Sequence, residues 1–334
     1  MTGTLAAIFG CSGLALTADE AAFFRDTDPF GFILFARNVE DPLQVRRLTA
    51  ALREAVGRDA PVLIDQEGGR VQRLRGPHWR EWAPPLETVA QARDPVRAMW
   101  LRSRIIAYEL RGVGVDANCA PCADIAGAAT HPFLKNRCYG TDPIAVSRLS
   151  AAVADGQLAG GVLPVIKHLP GHGRATADTH HDLPTVTASR AELAATDFAP
   201  FKALNHLPMA MTAHIIFAAY DDRPATQSDA MIRVIRDEIG FQGLLMTDDL
   251  NMQALRGSLA ERTAASMAAG CDIALHCKGD MAEMLAVAGA CGVQTPAIRQ
   301  RAARALAQRH APDPVDILAL EAEFRGLMSG DAHV

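Results

Sequence analysis

The 334-residue chain contains no run of about 18 uninterrupted apolar residues, so no membrane-spanning helix is expected. It carries a net charge of −5 and no block rich in lysine and arginine, which argues against nucleic acid as a partner. No G-x-G-x-x-G follows the first apolar run, and no Walker-type glycine loop offers a phosphate cradle. The G-x-S-x-G elbow of a serine nucleophile is missing, and so is the H-E-x-x-H of zinc hydrolases. Cysteines number seven, at 11, 119, 122, 138, 271, 277 and 291, an odd set without the spacing of a disulfide framework. That fits reduced thiols and a cytoplasmic protein. Cys119 and Cys122 form a C-x-x-C, but a zinc site would need a second pair nearby, so buried structural thiols are the better reading. The N-terminal MTGTLAAIFGCSGLAL lacks a basic start and reads as a strand rather than a cleaved leader.

What the chain does contain is an alternation. Short apolar runs at 4–10, 31–36, 61–65, 115–121, 164–168, 210–215, 243–248 and 271–276 read as strands. Amphipathic stretches lie between them. Residues 41–57 begin with an Asp cap and an early Pro; 228–240 begins with Ser and ends with Gly; 261–270 also ends with Gly. Two further helices close the chain, over about 296–328. Eight strands alternating with helices predict an α/β fold: a single (β/α)8 TIM-type barrel with extra C-terminal helices. The whole of 1–334 is expected to be one catalytic domain with its barrel core over about 4–290, since no Pro-, Gly- or Ser-rich linker divides it. An open doubly wound sheet is the alternative.

Polar residues gather at the ends of these apolar runs: Asp65-Gln66-Glu67, Asn118 and Asp124, Lys167-His168, Thr212 and His214, Asp248-Asp249, and His276. Barrel enzymes build their sites at the C-terminal face of the strands, so the set points to an enzyme. Asp65 is followed by Gly68-Gly69 and by Arg70 and Arg73. A carboxylate beside a guanidinium can clamp vicinal sugar hydroxyls, although a surface ion pair would read the same way. In LLMTDDLNM, Asp248 is the first carboxylate after the strand and is the better candidate nucleophile; Asp249 would cap the next segment. KHLPGHGRATADTHHDLP (167–184) holds four histidines. Asp178 and His180 are two apart, a spacing that lets the carboxylate orient the imidazole, so His180 is a candidate acid/base with Asp178 as its partner. A zinc site drawn from His168, His172, His180 and His181 remains the competing reading, without known ligand spacing.

The blocks DQEGGRVQRL, NRCYGTDP, KHLPGHG with DTH, and TDDLNM, in this order, resemble the family 3 glycoside hydrolases, most closely the bacterial single-domain β-N-acetylhexosaminidases of cell-wall recycling. The resemblance covers about residues 4–290. It implies Asp248 as nucleophile and His180 with Asp178 as the acid/base dyad. It also implies Asp65, Arg73, Arg137, Lys167 and His168 as contacts for a terminal N-acetylglucosamine. The implied reaction is retaining, on muropeptide fragments (N-acetylglucosamine on anhydro-N-acetylmuramic acid, with or without peptide), by a monomer needing no metal or organic cofactor. Leu169 stands where Phe is commoner, and Cys138-Tyr139 where Ser-Phe is usual. A phosphorylase, a metal-dependent hydrolase and a non-catalytic sugar-binding barrel are the alternatives.

Overall fold

Eight parallel strands close on themselves: β1 (Leu5–Phe9), β2 (Pro29–Leu34), β3 (Val62–Ile64), β4 (Ala117–Asn118), β5 (Leu163–Leu169), β6 (Met209–Thr212), β7 (Leu244–Asp249) and β8 (Ile273–His276). Each pairs with its neighbour in chain order, and β1 seals the barrel against β8 with Phe9 opposite His276. The structure, a computed structural model, describes residues 3–128, 130–175 and 183–328. Every expected strand is present within a few residues of its expected place. A short two-stranded parallel sheet, Thr185–Val186 with Ile216–Phe217, was not anticipated; two-residue pairings leave no periodic trace in a sequence.

The pleat sorts the apolar runs into two layers. In β1, Ala6 and Ile8 point into the barrel with Leu63, Val165, Met246 and Leu275, while Leu5, Ala7 and Phe9 pack outward against the helices. Burial on both faces is why these runs are continuous rather than alternating. Helix starts follow a repeated cap. Asp41, Asp94 and Asp142 each precede a proline at the first helical turn, and each side chain accepts from a backbone N–H of that turn. Ser258 and Glu261 form a capping box, and Gly270 ends that helix with φ +113. The helix expected over 228–240 is α over Asp229–Arg233 and widens to π over Val234–Glu238. A five-residue change of period is too short to read from apolar spacing.

The C-terminal helices span Pro296–Leu306 and Ile317–Met328. Ile317, Leu320 and Phe324 pack on the same apolar cluster as Trp79 and Trp82, with Phe324 edge-on to Trp82 at 5.5 Å. Both tryptophans are buried in that cluster. All seven cysteines are buried free thiols. No helix of the described residues is long and apolar enough to cross a membrane.

Candidate active site

A cavity of about 500 Å³ lies at the C-terminal end of the strands. Asp65, Arg73, Arg137, Lys167, His168 and Asp248 all line it. Six of the eight residues singled out from the sequence are thus brought to one place. The other two, Asp178 and His180, lie outside the described residues.

The core of the site is a chain of ion pairs across three strand ends. Lys167 Nζ donates to Asp65 Oδ1 at 2.8 Å and stands 2.6 Å from Glu67 Oε1. Arg73 Nη2 donates to Asp65 Oδ2 at 3.0 Å. Arg137 is bidentate on Glu67, with Nε and Nη2 each at 2.9 Å. Burial alone would raise both carboxyl groups. The cations outweigh it: Lys167 and Arg73 hold Asp65 well below the usual carboxylate range, and Arg137 and Lys167 hold Glu67 at about 2. Burial would likewise strip Lys167 of its proton, but Asp65 and Glu67 push it above its ordinary value. These groups therefore stay charged at neutral pH; Asp65 and Lys167 line the cavity, and buried Glu67 fixes Lys167 and Arg137 there.

The loop that carries Asp65, Glu67 and Arg73 is built from its own residues. Gln66 Oε1 accepts from the N–H groups of Arg73 and Leu74, and Gln66 Nε2 donates to the Leu74 carbonyl. The turn between them needs Gly68 at φ +100, where an added Cβ would stand 1.8 Å from Arg102 Nη2. Buried Arg102 in turn donates to the Glu67 and Ala83 carbonyls at 2.7 Å.

His168 is held from behind. Its Nδ1 pairs with Asp124 Oδ2 at 2.7 Å, while Arg137 Nη2 lies 3.4 Å from its Nε2. Arginine can only donate, so the ring proton belongs on Nδ1. Asp124 Oδ1 also accepts from the His172 N–H at 2.7 Å, and burial of Asp124 is outweighed by His168, which keeps its carboxyl below the usual range. Cys122 Sγ donates to Asp124 Oδ2 at 3.3 Å. Cys122, Asp124 and His168 are the one group among the described residues whose ligand atoms cluster as a metal site would require. Each of the three already has a hydrogen-bonding role, so the group reads as support for His168. Burial, with His168 next, lowers His172 to about 4.

Asp248 ends β7. Its Oδ1 accepts from the Asp249 N–H at 2.8 Å. Burial raises its carboxyl, but the histidines 168 and 214 and the Asp249 N–H together hold it below the ordinary value, so it is ionised at neutral pH. Asp249 differs: burial pushes it up to about 6, and its Oδ1 accepts from the N–H groups of Asn251 and Cys277 at 3.2 Å each, the capping role expected for it. His214 Nε2 donates to the Asp249 carbonyl at 3.1 Å, and its Nδ1 meets Thr226 Oγ1 at 2.8 Å. Of the strand-end residues, His276 is turned away from the site. His276 faces the helices beside Phe9, with Glu283 at 3.7 Å from its Nε2. Sequence reasoning counted Glu67 and Asp124 only as strand-end polar residues and left out Phe35, His131 and Phe133, which also line the cavity. The signal for Glu67 was its place two residues after Asp65 in the same glycine turn.

Comparison with known proteins agrees with this geometry. The profile of the Glycosyl hydrolase family 3 N terminal domain matches residues 12–307. A protein of Bordetella pertussis named Beta-hexosaminidase is 34% identical over 324 residues, covering 94% of this chain and 91% of that protein. The solved structure of NagZ from Neisseria gonorrhoeae in complex with N-trifluoroacetyl-D-glucosamine superposes with a TM-score of 0.87 at 28% identity, covering 98% of this chain and 99% of that one. A family 3 β-N-acetylglucosaminidase from Paenibacillus gives a TM-score of 0.81 at 29% identity; the chain spans 98% of its own length and 63% of that longer protein.

Proposed function

The chain belongs to glycosyl hydrolase family 3 and is a glycoside hydrolase of the β-N-acetylhexosaminidase type, and we propose that it removes terminal β-linked N-acetylglucosamine from muropeptide fragments through a glycosyl-Asp248 intermediate. The observation that carries this reading is the meeting of Asp248 with Asp65, Arg73, Lys167 and Arg137 in one cavity, the four joined by ion pairs in which buried Glu67 bridges Lys167 and Arg137. A charged array of that kind matches hydroxyl and amide groups of a sugar, and the carboxylate beside it is ionised and able to attack.

In this mechanism Asp65, Arg73, Lys167, Arg137 and His168 hold the N-acetylglucosamine. Asp248 attacks the anomeric carbon as the bond to the leaving oxygen breaks, and His180, oriented by Asp178, gives that oxygen a proton. His180 then takes a proton from water, which attacks the anomeric carbon and releases Asp248. Two carboxylates usually share these roles in retaining glycosidases. A histidine titrates near neutral pH, so one group can serve as acid and then as base. We assign the activity to a cytoplasmic monomer with a single catalytic domain.

The test is hydrolysis of an aryl β-N-acetylglucosaminide beside the matching β-glucoside, each with and without EDTA and with and without phosphate. Preferential release from the acetamido sugar, indifferent to EDTA and yielding free sugar in phosphate, is the expected result. Loss of activity to EDTA would favour a metal-dependent hydrolase; a sugar phosphate product would make the protein a phosphorylase.

A further inference from the structure

The strand that carries Asp248 is tied unequally to its two neighbours. On one side, β7 pairs with β8 as far as Asp249 opposite Leu275, and the Leu250 N–H donates to the Leu275 carbonyl at 3.1 Å. On the other, the ladder with β6 ends at Met211 opposite Met246, two residues short of Asp248. His214, two residues beyond the end of β6 at Thr212, reaches across that gap: its Nε2 meets the Asp249 carbonyl at 3.1 Å. Among the described residues, the other groups that donate to Asp249 come from its own loop or from the end of β8. The Asn251 and Cys277 N–H groups meet Oδ1, and the Met252 N–H meets the carbonyl. Asp249 gives its own N–H to Asp248 Oδ1 at 2.8 Å.

A carbonyl accepts and never donates, so the His214 ring carries a proton on Nε2. Its Nδ1 lies 2.8 Å from Thr226 Oγ1, which is also 2.8 Å from Thr212 Oγ1 and 3.0 Å from the Ala213 carbonyl. The Thr226 hydroxyl has one proton to offer Nδ1 or Ala213. Given to Nδ1, it leaves the ring neutral; given to Ala213, it requires a second proton on the ring. Nε2 donates in both arrangements. Burial favours the neutral one by lowering the ring's pKa, against the opposing pull of Asp248. Thr212, His214 and Thr226 are each buried, so water does not compete for these bonds. The charged and titratable groups around the ring are Asp248 on β7, His168 on β5 and Arg262 of the helix Leu259–Ala269. Asp248 itself stands within electrostatic reach of His168, His214, Lys167 and Asp249. His214 is not part of the cavity lining, so it acts through Asp248 and not on the sugar.

We propose that His214 is a positioning residue for the nucleophile: seated on Thr226, it fixes the Asp249 carbonyl from the β6 side and with it the N–H that orients the Asp248 carboxylate, an inference that rests on Asp248 being the nucleophile. A buried carboxylate that loses this N–H and the imidazole beside it is harder to ionise, because burial is then less opposed. In the free enzyme kcat/KM falls as the nucleophile takes up a proton, so the acid limb of its pH profile moves to higher pH. Packing damage alone lowers the rate and leaves the limb in place.

The experiment records kcat/KM from about pH 4 to 8 on an activated aryl β-N-acetylglucosaminide for wild type, His214→Gln, His214→Asn, Thr226→Val and Asp248→Asn, with melting measured alongside. The Gln amide nitrogen is as many bonds from Cα as His Nε2 and can donate to Asp249; the Asn nitrogen matches Nδ1 and falls short. His214→Asn is expected to lose about 10-fold or more in kcat/KM with the acid limb raised by about one pH unit, and His214→Gln to recover most of both. Thr226→Val keeps the imidazole but removes its seat, and moves the limb the same way by less; this variant decides the matter if His214→Asn does not fold. An acid limb unmoved in the folded variants, or a His214→Gln no better than His214→Asn, overturns the positioning role. Sustained turnover in Asp248→Asn overturns the nucleophile reading, and this inference with it. An inactive Asp248→Asn together with unmoved limbs leaves that reading standing and removes only the role of His214.

Discussion

Glu67 is the residue on which the site's charge balance turns. It meets Arg137 through both oxygens and Lys167 through one, with its side chain 1% exposed. Removing one partner of such a buried set leaves the others uncompensated, so Glu67→Gln is expected to destabilise the fold by about 3 kcal/mol. Its pH signature is more specific. The folded carboxyl lies at about 2, below the ordinary 4.5, so its contribution to stability is complete above pH 4.5 and is lost as pH falls toward 2. Unfolding free energy measured by denaturant from pH 5 to 2.5 should fall less steeply in Glu67→Gln, by up to about 1.4 kcal/mol per pH unit. Equal slopes would mean that Glu67 titrates normally in the fold. Asp248 is a separate case, because its role is chemical. Asp248→Asn should lower kcat by at least about 1,000-fold while cooperative melting persists. If turnover continues, the nucleophile lies elsewhere, with Asp249 the nearest carboxylate in sequence. Neither Glu67 nor Asp124 could be told from an ordinary loop acid by sequence alone, since what distinguishes them is the cation or imidazole opposite.

The element that matters most is the turn from β3 through Leu74. It supplies Asp65, Glu67 and Arg73 from ten residues, and its shape is set by Gln66 inside and Arg102 outside. Gly68→Ala would place a methyl group at φ +100, 1.8 Å from Arg102 Nη2 and 2.9 Å from the Ala83 carbonyl. The backbone carbonyl cannot swing aside as a side chain can. Stability should drop by about 2 kcal/mol or more, with kcat/KM falling because Asp65 and Arg73 in the cavity move together with Glu67. A Gly68→Ala protein with wild-type melting and kinetics would show that the turn has room to relax. The turn was legible as a turn from Gly68-Gly69, and the start of the 41–57 helix from Asp41-Pro42, because both signals are local. The π segment at Val234–Glu238 and the pairing of Thr185–Val186 with Ile216–Phe217 were not legible: each depends on what lies across from it.

For the molecule as a whole, the barrel's closure and the packing of the last helix set the stability. Ile317–Met328 covers Trp82 through Phe324 and pairs Glu321 with Arg80 and Glu323 with Arg97. None of its residues lines the active-site cavity. A chain stopped before Ile317 should melt about 5 °C or more below wild type, since it uncovers apolar surface, yet keep kcat/KM within about twofold. A larger loss of activity than of stability would mean that the helix supports the site as well as the core.

The sequence by itself determined the eight-strand count, the places of the strands and the candidate nucleophile. Strands of a parallel barrel are buried on both faces and so must be apolar throughout, and a charge that ends such a run has to emerge at the rim. Only the tertiary structure decided which charges meet. Lys167 finds Asp65 across 102 residues, Arg137 finds Glu67 across 70, and His168 finds Asp124 across 44. It also decided that His276, at a strand end like the rest, turns away from the cavity, because the pleat sends alternate side chains to opposite faces. Periodicity reports what a residue does along its own element; partnership is set by closing the barrel, which brings distant strand ends within a few ångströms.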